Sequence, residues 1–321
     1  MSADERLQKR LAQIPTLHVL KDVPLRSYTR FGIGGPADLY AEADRVEPFV
    51  EALNAVRASG VPHLAIGSGT NLIISDEGFR GVVLRFTART ISVAGERIAA
   101  DAGAELQDVV DCAIANGLKG LETMAGIPGS LGAAVYGNAG AYGHSISELV
   151  EKVRFFDGER ERVFRNEDCH FAYRDSIFKR NKSWIIFSAR LLLKPGDPAE
   201  LRRRADEIMA VRNAKFPPSM KCAGSVFKNL LLAELPPEVA AQVPPYVIKE
   251  GKVPAAWFLE QAGAKGLSRG DIHVADYHAN LLYNAGEGTA RDLTALIAEL
   301  KRRVRERFGI ELEEEVQYVG F

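Results

Sequence analysis

Three kinds of polar side chain stand among apolar neighbours in the second half of the chain. Arg174 lies in AYRDSIFK (172–179), Ser225 lies in CAGSVFKN (222–229), and Glu311, Glu313 and Glu315 alternate in ELEEEVQ (311–317). A guanidinium can hold a carboxylate through two parallel N–H bonds. Gly224 leaves the Ser225 hydroxyl uncrowded, and alternate carboxylates share one face if their segment is a strand. Each has a plainer alternative: an Arg174–Asp175 surface pair, a turn or helix cap at Ser225, a solvated acidic edge at 311–315. Residue type alone does not choose between them. A hydrolase triad is not supported, because no histidine stands near Ser225 and no G-x-S-x-G surrounds it.

A second group of candidates is made of glycines. GSGTN (67–71) follows the short apolar run LAI, GIGGP occupies 32–36, and AGIPGSLGAAVYGNAGAYG fills 125–143. Glycine reaches φ > 0 and lets a backbone approach a ligand closely. Successive N–H groups in such a turn form a concavity for an anion, and Thr70 and Asn71 add side-chain donors, so a diphosphate is a natural guest. An ordinary tight turn is the alternative for GSGTN taken alone. Gly67 and Gly69 begin a G-x-G, but Leu72 takes the sixth position and an apolar strand-like run follows, which argues against a Rossmann fingerprint. No G-x-x-x-x-G-K-[ST] occurs. His273 and His278 are five apart, and DCH (168–170) lacks partners at ligand spacing, so no metal site is expected. Three Gly-rich loops suggest a long ligand touched at several points. Pro128 and Asn138 favour defined turns in the longest of them, whereas a disordered linker would be richer in serine and charge.

Secondary elements must position these groups. The chain has 321 residues, enough for two domains at about 150 residues each. Apolar residues make up 46%, aromatic 8% and charged 26%, as in ordinary globular proteins. The net charge of −1 asks for neither nucleic acid nor an acidic membrane, and LRRRADE and KRRVRER read as solvated helix faces. Cys112, Cys169 and Cys222 are too few and too scattered for a disulfide framework, which fits a reducing compartment. The N-terminus lacks a secretory h-region and no run of about 18 apolar residues occurs, so the expectation is a cytoplasmic protein.

Periodicity predicts helices around Leu7–Ile14, Val46–Leu53, Leu106–Ile114 with Gly117 as C-cap, 201–213, AAWFLEQ, and Leu293–Val304 with Thr289 as N-cap. Strands are expected in HLAI, LII, GVVLRF, ISVAGERIAAD, VEKVRFF, WIIFSARLLL, HANLLYN and IELEEEVQYV, while NEDCHFAYRDSIFKR reads as helix or loop. PGDP (195–198) is the strongest boundary signal, and the Pro-rich 234–248 stretch reads as an irregular surface insertion. The fold class is α+β.

SYTRFGIGGPAD, GSGTNLIISD, GIPGSLGAAVYGNAGAYG, YRDSIFK, AGSVFKN and LEEEVQYVG occur in the order and rough spacing of one family. From about Arg26 to Gly320 the chain resembles the UDP-N-acetylenolpyruvoylglucosamine reductases of bacterial peptidoglycan precursor synthesis. The resemblance implies an N-terminal helix (1–25) and an FAD-binding domain of the p-cresol methylhydroxylase/vanillyl-alcohol oxidase type (26–196). A smaller α+β substrate domain (197–321) would follow. It implies non-covalent FAD, with NADPH as co-substrate. Gly67, Ser68, Gly69, Thr70, Asn71 and Leu72 would cradle the diphosphate. Ala125, Gly126, Pro128, Gly129, Ser130, Gly132, Ala133, Asn138, Gly140 and Ala141 would line the flavin and adenine, with backbone amides reaching the cofactor.

The implied reaction reduces UDP-N-acetylglucosamine enolpyruvate to UDP-N-acetylmuramate, with hydride from reduced flavin N5 and a proton from Ser225. Arg174 and Glu315 match the positions that hold the substrate carboxylate; Arg174 would offset developing charge, and a protonated Glu315 could share a hydrogen bond. Tyr142, Lys215, Asn229 and Gln261 match substrate contacts. Only 51 positions separate Arg174 from Ser225, so the chain resembles the shorter subclass that lacks a substrate-closing tyrosine loop. Leu230 stands where the family usually has proline, Cys222 where a small polar residue is common, and the 231–253 insertion is long. Two rivals remain. One is a sugar or alcohol oxidase on the same flavin fold, for which His63 and His144 lie near the Gly loops. The other is a non-catalytic nucleotide-sugar binding protein.

Overall fold

A computed structural model describes residues 3–321; Met1 and Ser2, the first residues of the expected N-terminal helix region, lie outside the described residues. The chain divides into two compact units, and neither is continuous in sequence. One comprises the N-terminal residues up to Val23, Ala37–Gly69 and Arg80–Ala214; the other comprises Pro24–Pro36, Thr70–Phe79 and Lys215–Phe321.

In the first unit, strands His18–Pro24, Pro36–Ala43, Phe79–Phe86 and His63–Ile66 lie side by side in that order, and the last two run parallel. The helices Ala3–Leu11 and Val46–Ser59 bring Leu7, Leu11, Phe49, Leu53 and Val56 into one core with Leu39, Val82 and Leu84. Each such side chain contributes about 1.5–3 kcal/mol when fully buried. A second, antiparallel sheet runs in the order Glu161–Arg165, Val150–Phe156, Ile185–Leu192, Arg97–Asp101, Ile91–Ala94. The helices Leu106–Ala115 and Leu131–Tyr136 supply Val109, Val110, Leu131 and Val135 to its core. Asn116, one residue before the expected Gly117, is the C-cap of Leu106–Ala115, and Gly117 follows at φ +64°. PGDP does start a helix, Pro198–Lys215, whose Leu201 and Ala205 are buried in this same core.

In the second unit, Ser268–Arg269, Ile272–Ala275 and His278–Asn284 form an antiparallel sheet, and Leu72–Ile74 pairs in parallel with Gln317–Val319. The helix Ala290–Phe308 buries Leu293, Leu296, Ile297, Leu300 and Val304 as its periodicity predicts, and Thr289 caps it through Asp292 N–H. Three expectations need correction. The Pro-rich 234–248 stretch forms short helical turns at Leu232–Glu234, Pro237–Ala240 and Pro245–Val247, and its Leu235, Val239 and Val243 are buried in the core. The chain end is a strand only over Gln317–Val319; the backbone bends at Glu315, so the alternate glutamates are not one strand face. In GIGGP, an added Cβ on Gly35 would lie 2.1 Å from the Asp76 carbonyl oxygen, so this glycine answers to protein backbone rather than to a ligand.

Candidate active site

In the first unit, Arg174 sits on a two-residue reverse turn closed by Ala172 N–H to Asp175 O (3.0 Å) and Asp175 N–H to Ala172 O (3.2 Å). Its φ is +55°, a left-handed conformation that a long side chain rarely adopts. Strained backbone of this kind clusters at functional positions. The guanidinium donates to Gly140 O at 3.1 Å and lies over the Tyr173 ring, 5.6 Å from its centroid. Asp175 accepts from Arg180 at 2.8 Å. Gly140 and Ala141 pair with Ser145 and His144, so Tyr142 and Gly143 form a hairpin loop with φ +54° and +81°. Positive φ at both positions is the geometry of a tight two-residue hairpin. This hairpin presents Tyr142 at 51% exposure, and Arg174 bonds to its base.

The glycine segments expected to hold FAD meet in this unit. An added Cβ on Gly67 would lie 3.2 Å from Ser130 Oγ and 3.7 Å from Ala133 Cβ, while Ser68 Oγ lies 3.3 Å from Glu105 Oε1. The main-chain N–H groups of Gly67, Ser68 and Gly69 make no hydrogen bond to protein among the described residues. These N–H groups suit a diphosphate, so the residues present fit the cofactor. Within 125–141, however, several amides are engaged elsewhere: Gly126 N–H with Gln107 Oε1 (2.8 Å), Gly132 N–H with Ala102 O (2.9 Å), Ala133 N–H with Ser130 Oγ (3.3 Å). Those residues offer a flavin small apolar surface, not amide donors. A Cβ on Gly132 would be 2.7 Å from Ala102 Cβ, and one on Gly140 would be 2.4 Å from His144 O, so part of the glycine content serves internal packing. The Met209 and Arg212 side chains also border Gly126, which the spacing did not single out.

In the second unit, Ser225 bridges to Leu281 and Phe227 bridges to Glu314. Glu315 N–H donates to Val226 O at 2.7 Å, so Glu315 is bonded to the residue that follows Ser225. Asn71 Nδ2 donates to Glu315 O at 2.9 Å, and Asn71 O accepts from Gln317 N–H at 3.0 Å. Thr70 and Asn71 thus lead into the strand Leu72–Ile74, which pairs with Gln317–Val319, the strand that follows Glu315. Glu311 pairs with Arg305, Glu313 with Lys228, and Glu314 with Lys301, while Glu315 is half-buried. Ser225 caps no helix; it sits at an isolated bridge with bends at Gly224 and Val226 on either side. Gly224 has φ +76° with nothing within 4 Å of an added Cβ, and Ser225 beside it is partly exposed.

Asn280 is a residue that sequence reasoning missed. It is 2% exposed, and its amide accepts from Phe227 N–H (2.8 Å) and donates to Phe227 O (2.8 Å). Its own carbonyl accepts from Val226 N–H at 3.0 Å. The signal was the pair of asparagines, Asn280 and Asn284, inside the apolar strand HANLLYN. Asn229 Oδ1 accepts from Ala255 N–H at 3.3 Å, and Gln261 ends the helix Ala255–Gln261. Lys215 O accepts from Tyr277 OH at 2.9 Å, and its ammonium lies 5.1 Å from the Phe216 ring centre.

Next to them, His278 Nδ1 is buried without a hydrogen-bond partner. Burial, and then the charge of Lys215, press its pKa from the ordinary 6.5 down to about 4. The folded protein therefore keeps this ring neutral where the unfolded chain takes up a proton. Between about pH 6.5 and 4 the unfolded state binds more protons, so stability is lost as pH falls through that window. The thermal midpoint of the wild type is expected to drop more steeply on acidification than that of His278→Gln; parallel slopes would count against this.

Among the described residues, no group of His, Cys, Asp and Glu is arranged to hold a metal ion, and no helix is long and apolar enough to cross a membrane. A surface hollow of about 370 Å3, lined by Ser147, Glu148, Asn166, Glu167, His170 and Phe171, includes none of the expected site residues.

The chain matches known proteins along nearly its whole length. Residues 37–165 match the family model described as FAD binding domain, which puts the first unit's glycine segments in a class of flavin-binding proteins. Residues 216–319 match the model of the UDP-N-acetylenolpyruvoylglucosamine reductase C-terminal domain. The chain is 65% identical over 311 residues to the UDP-N-acetylenolpyruvoylglucosamine reductase of Solibacter usitatus, covering 97% of this chain and 100% of that protein. It is 38% identical to the enzyme of the same name from Rubrobacter xylanophilus, over 93% of this chain and 94% of that one. The crystal structure of UDP-N-acetylenolpyruvylglucosamine reductase from Thermus caldophilus superposes with a TM-score of 0.73 at 31% identity, covering 94% of this chain and 98% of that chain. The chain belongs to the UDP-N-acetylenolpyruvoylglucosamine reductase family.

Proposed function

We propose that this protein is a cytoplasmic, NADPH-dependent flavoprotein that reduces UDP-N-acetylglucosamine enolpyruvate to UDP-N-acetylmuramate for peptidoglycan precursor synthesis. The observation that carries the reading is the bond between Glu315 N–H and Val226 O, which joins the carboxyl-bearing segment to the residue beside Ser225. Gly67–Leu72 would hold the FAD diphosphate and the 125–141 stretch its rings. When bound, FAD supplies a hydride acceptor for NADPH and a hydride donor for the terminal enol carbon of the substrate. Ser225 Oγ donates the proton to the adjacent carbon. A hydroxyl is a weak acid, but the acceptor here is an enolate conjugated to a carboxylate and is strongly basic. Arg174 and Glu315 hold that carboxylate and stabilise the charge that develops on it. Tyr142, Lys215, Asn229 and Gln261 contact the nucleotide sugar.

In this reading the FAD-binding domain proposed for residues 26–196 also supplies Arg174 and Tyr142 to the substrate, and residues 197–321 supply the remaining substrate contacts. The test is an anaerobic visible spectrum. The yellow protein bleaches with NADPH and regains its colour with UDP-N-acetylglucosamine enolpyruvate. A protein that regains colour only in air keeps the flavin but moves the function to the oxidase rival, and one that takes up no FAD overturns the flavin reading.

A further inference from the structure

The Gly/Ala stretch grips the Arg174 turn at every second residue. Tyr136 O accepts from Ser176 Oγ at 2.7 Å, Asn138 Nδ2 donates to Ala172 O at 2.8 Å, and Gly140 O accepts from Arg174 Nη1 at 3.1 Å. The Lys179 ammonium donates to Arg174 O at 2.8 Å. Asn138 and Ser176, which make two of these grips, are themselves fixed. Asn138 is 7% exposed, has φ +45°, and accepts from Ser147 N–H at 3.2 Å through Oδ1. Ser176 is fully buried and caps the short helix Ile177–Arg180 by accepting Lys179 N–H at 3.3 Å. That helix carries Lys179 back over the turn.

We propose that Asn138, Ser176 and Lys179 are positioning residues that hold Arg174 in its strained turn, aimed for the substrate carboxylate. The inference rests on the reading of Arg174 as the carboxylate-binding group. Left-handed backbone at a non-glycine residue persists only where its surroundings over-determine it, and these bonds are that determination. Lys179 has the strongest grip, because a charged donor bonds the carbonyl of the strained residue itself. Loosening the turn leaves the guanidinium present but misplaced. A displacement of about 1 Å in a positioning group costs on the order of 100-fold in rate.

The test compares Lys179→Met, Lys179→Arg and Ser176→Ala in the FAD-loaded protein, each with and without Arg174→Met. Hydrogen exchange at the Ala172 and Asp175 amides reports the turn without reference to activity. Stopped-flow absorbance separates reduction by NADPH from reoxidation by UDP-N-acetylglucosamine enolpyruvate. In Lys179→Met, exchange at both amides is expected to speed up about tenfold or more, and reoxidation to slow about tenfold or more, with reduction by NADPH within about twofold of wild type. Lys179→Arg restores both readouts. With Arg174→Met already present, Lys179→Met slows reoxidation by less than about twofold. Full additivity of the two substitutions, or unchanged exchange, overturns the positioning role while leaving Arg174 as the carboxylate group. If Arg174→Met alone leaves reoxidation intact, the reading of Arg174 falls, and the positioning role with it. Ser176→Ala repeats the comparison through the bond to Tyr136 O should Lys179→Met not accumulate as folded protein.

Discussion

Replacing Ser225 with alanine is expected to slow reoxidation of the NADPH-reduced protein by UDP-N-acetylglucosamine enolpyruvate by about 10²–10⁴-fold, the usual contribution of one positioned acid. The loss falls on the protonation step because of where the side chain sits. Ser225 is held by its backbone, through the bridge to Leu281, and the next two residues are clamped by Asn280. Its hydroxyl makes no hydrogen bond to protein among the described residues. Alanine therefore removes the donor and leaves the scaffold, and unfolding stability should change by less than about 0.5 kcal/mol. Ser225→Cys keeps an ionisable hydrogen at the same place and should recover part of the rate. The measurement is single-turnover reoxidation followed by flavin absorbance. A drop of less than tenfold in Ser225→Ala would show that the proton comes from another group.

Helix ends were legible because their signals are local. Thr289 caps the last helix as its type requires, and Gly309, not singled out beforehand, stops it in a left-handed conformation, φ +68°. Buried periodicity was equally plain, even where it went unused: Leu235, Val239 and Val243 recur at helical spacing inside a stretch whose prolines suggested a surface loop. What could not be read was pairing between distant segments. Nothing near Glu315 says that its N–H meets Val226, so the alternation of Glu311, Glu313 and Glu315 looked like one strand face. The glycines are the instructive case. Among the described residues the N–H groups of Gly67, Ser68 and Gly69 make no hydrogen bond to protein, whereas the partners of Gly132, Gly140 and Gly35 are Ala102, His144 and Asp76. A missing side chain signals close approach; the sequence does not say whether ligand or backbone does the approaching.

Gly35→Ala is expected to destabilise the protein by about 4 kcal/mol or more, lowering the thermal midpoint by roughly 6 °C or more. Its φ is not left-handed, so the cost is purely steric. The new Cβ would lie 2.1 Å from Asp76 O and 2.5 Å from Gly78 N, and both are backbone atoms that no rotamer change can move. The turn they belong to is tied down on every side. Gly35 N–H donates to Ser75 O at 2.8 Å, and Ser75 N–H donates to Val319 O at 2.9 Å. The Asp76 carboxylate accepts from Ala290 and Arg291 N–H at 2.8 and 3.0 Å, at the start of the last helix. Moving Asp76 therefore strains the helix start and the strand pair Leu72–Ile74 with Gln317–Val319 together. Gly60→Ala is the control. That residue has φ +72° but nothing within 4 Å of an added Cβ, so alanine there costs only the left-handed penalty, about 1 kcal/mol. Thermal unfolding of the FAD-loaded protein, followed by circular dichroism, compares the two. If Gly35→Ala unfolds at the temperature of Gly60→Ala, the turn at 75–78 yields easily, and it cannot be what holds Asn71 and Glu315 in register.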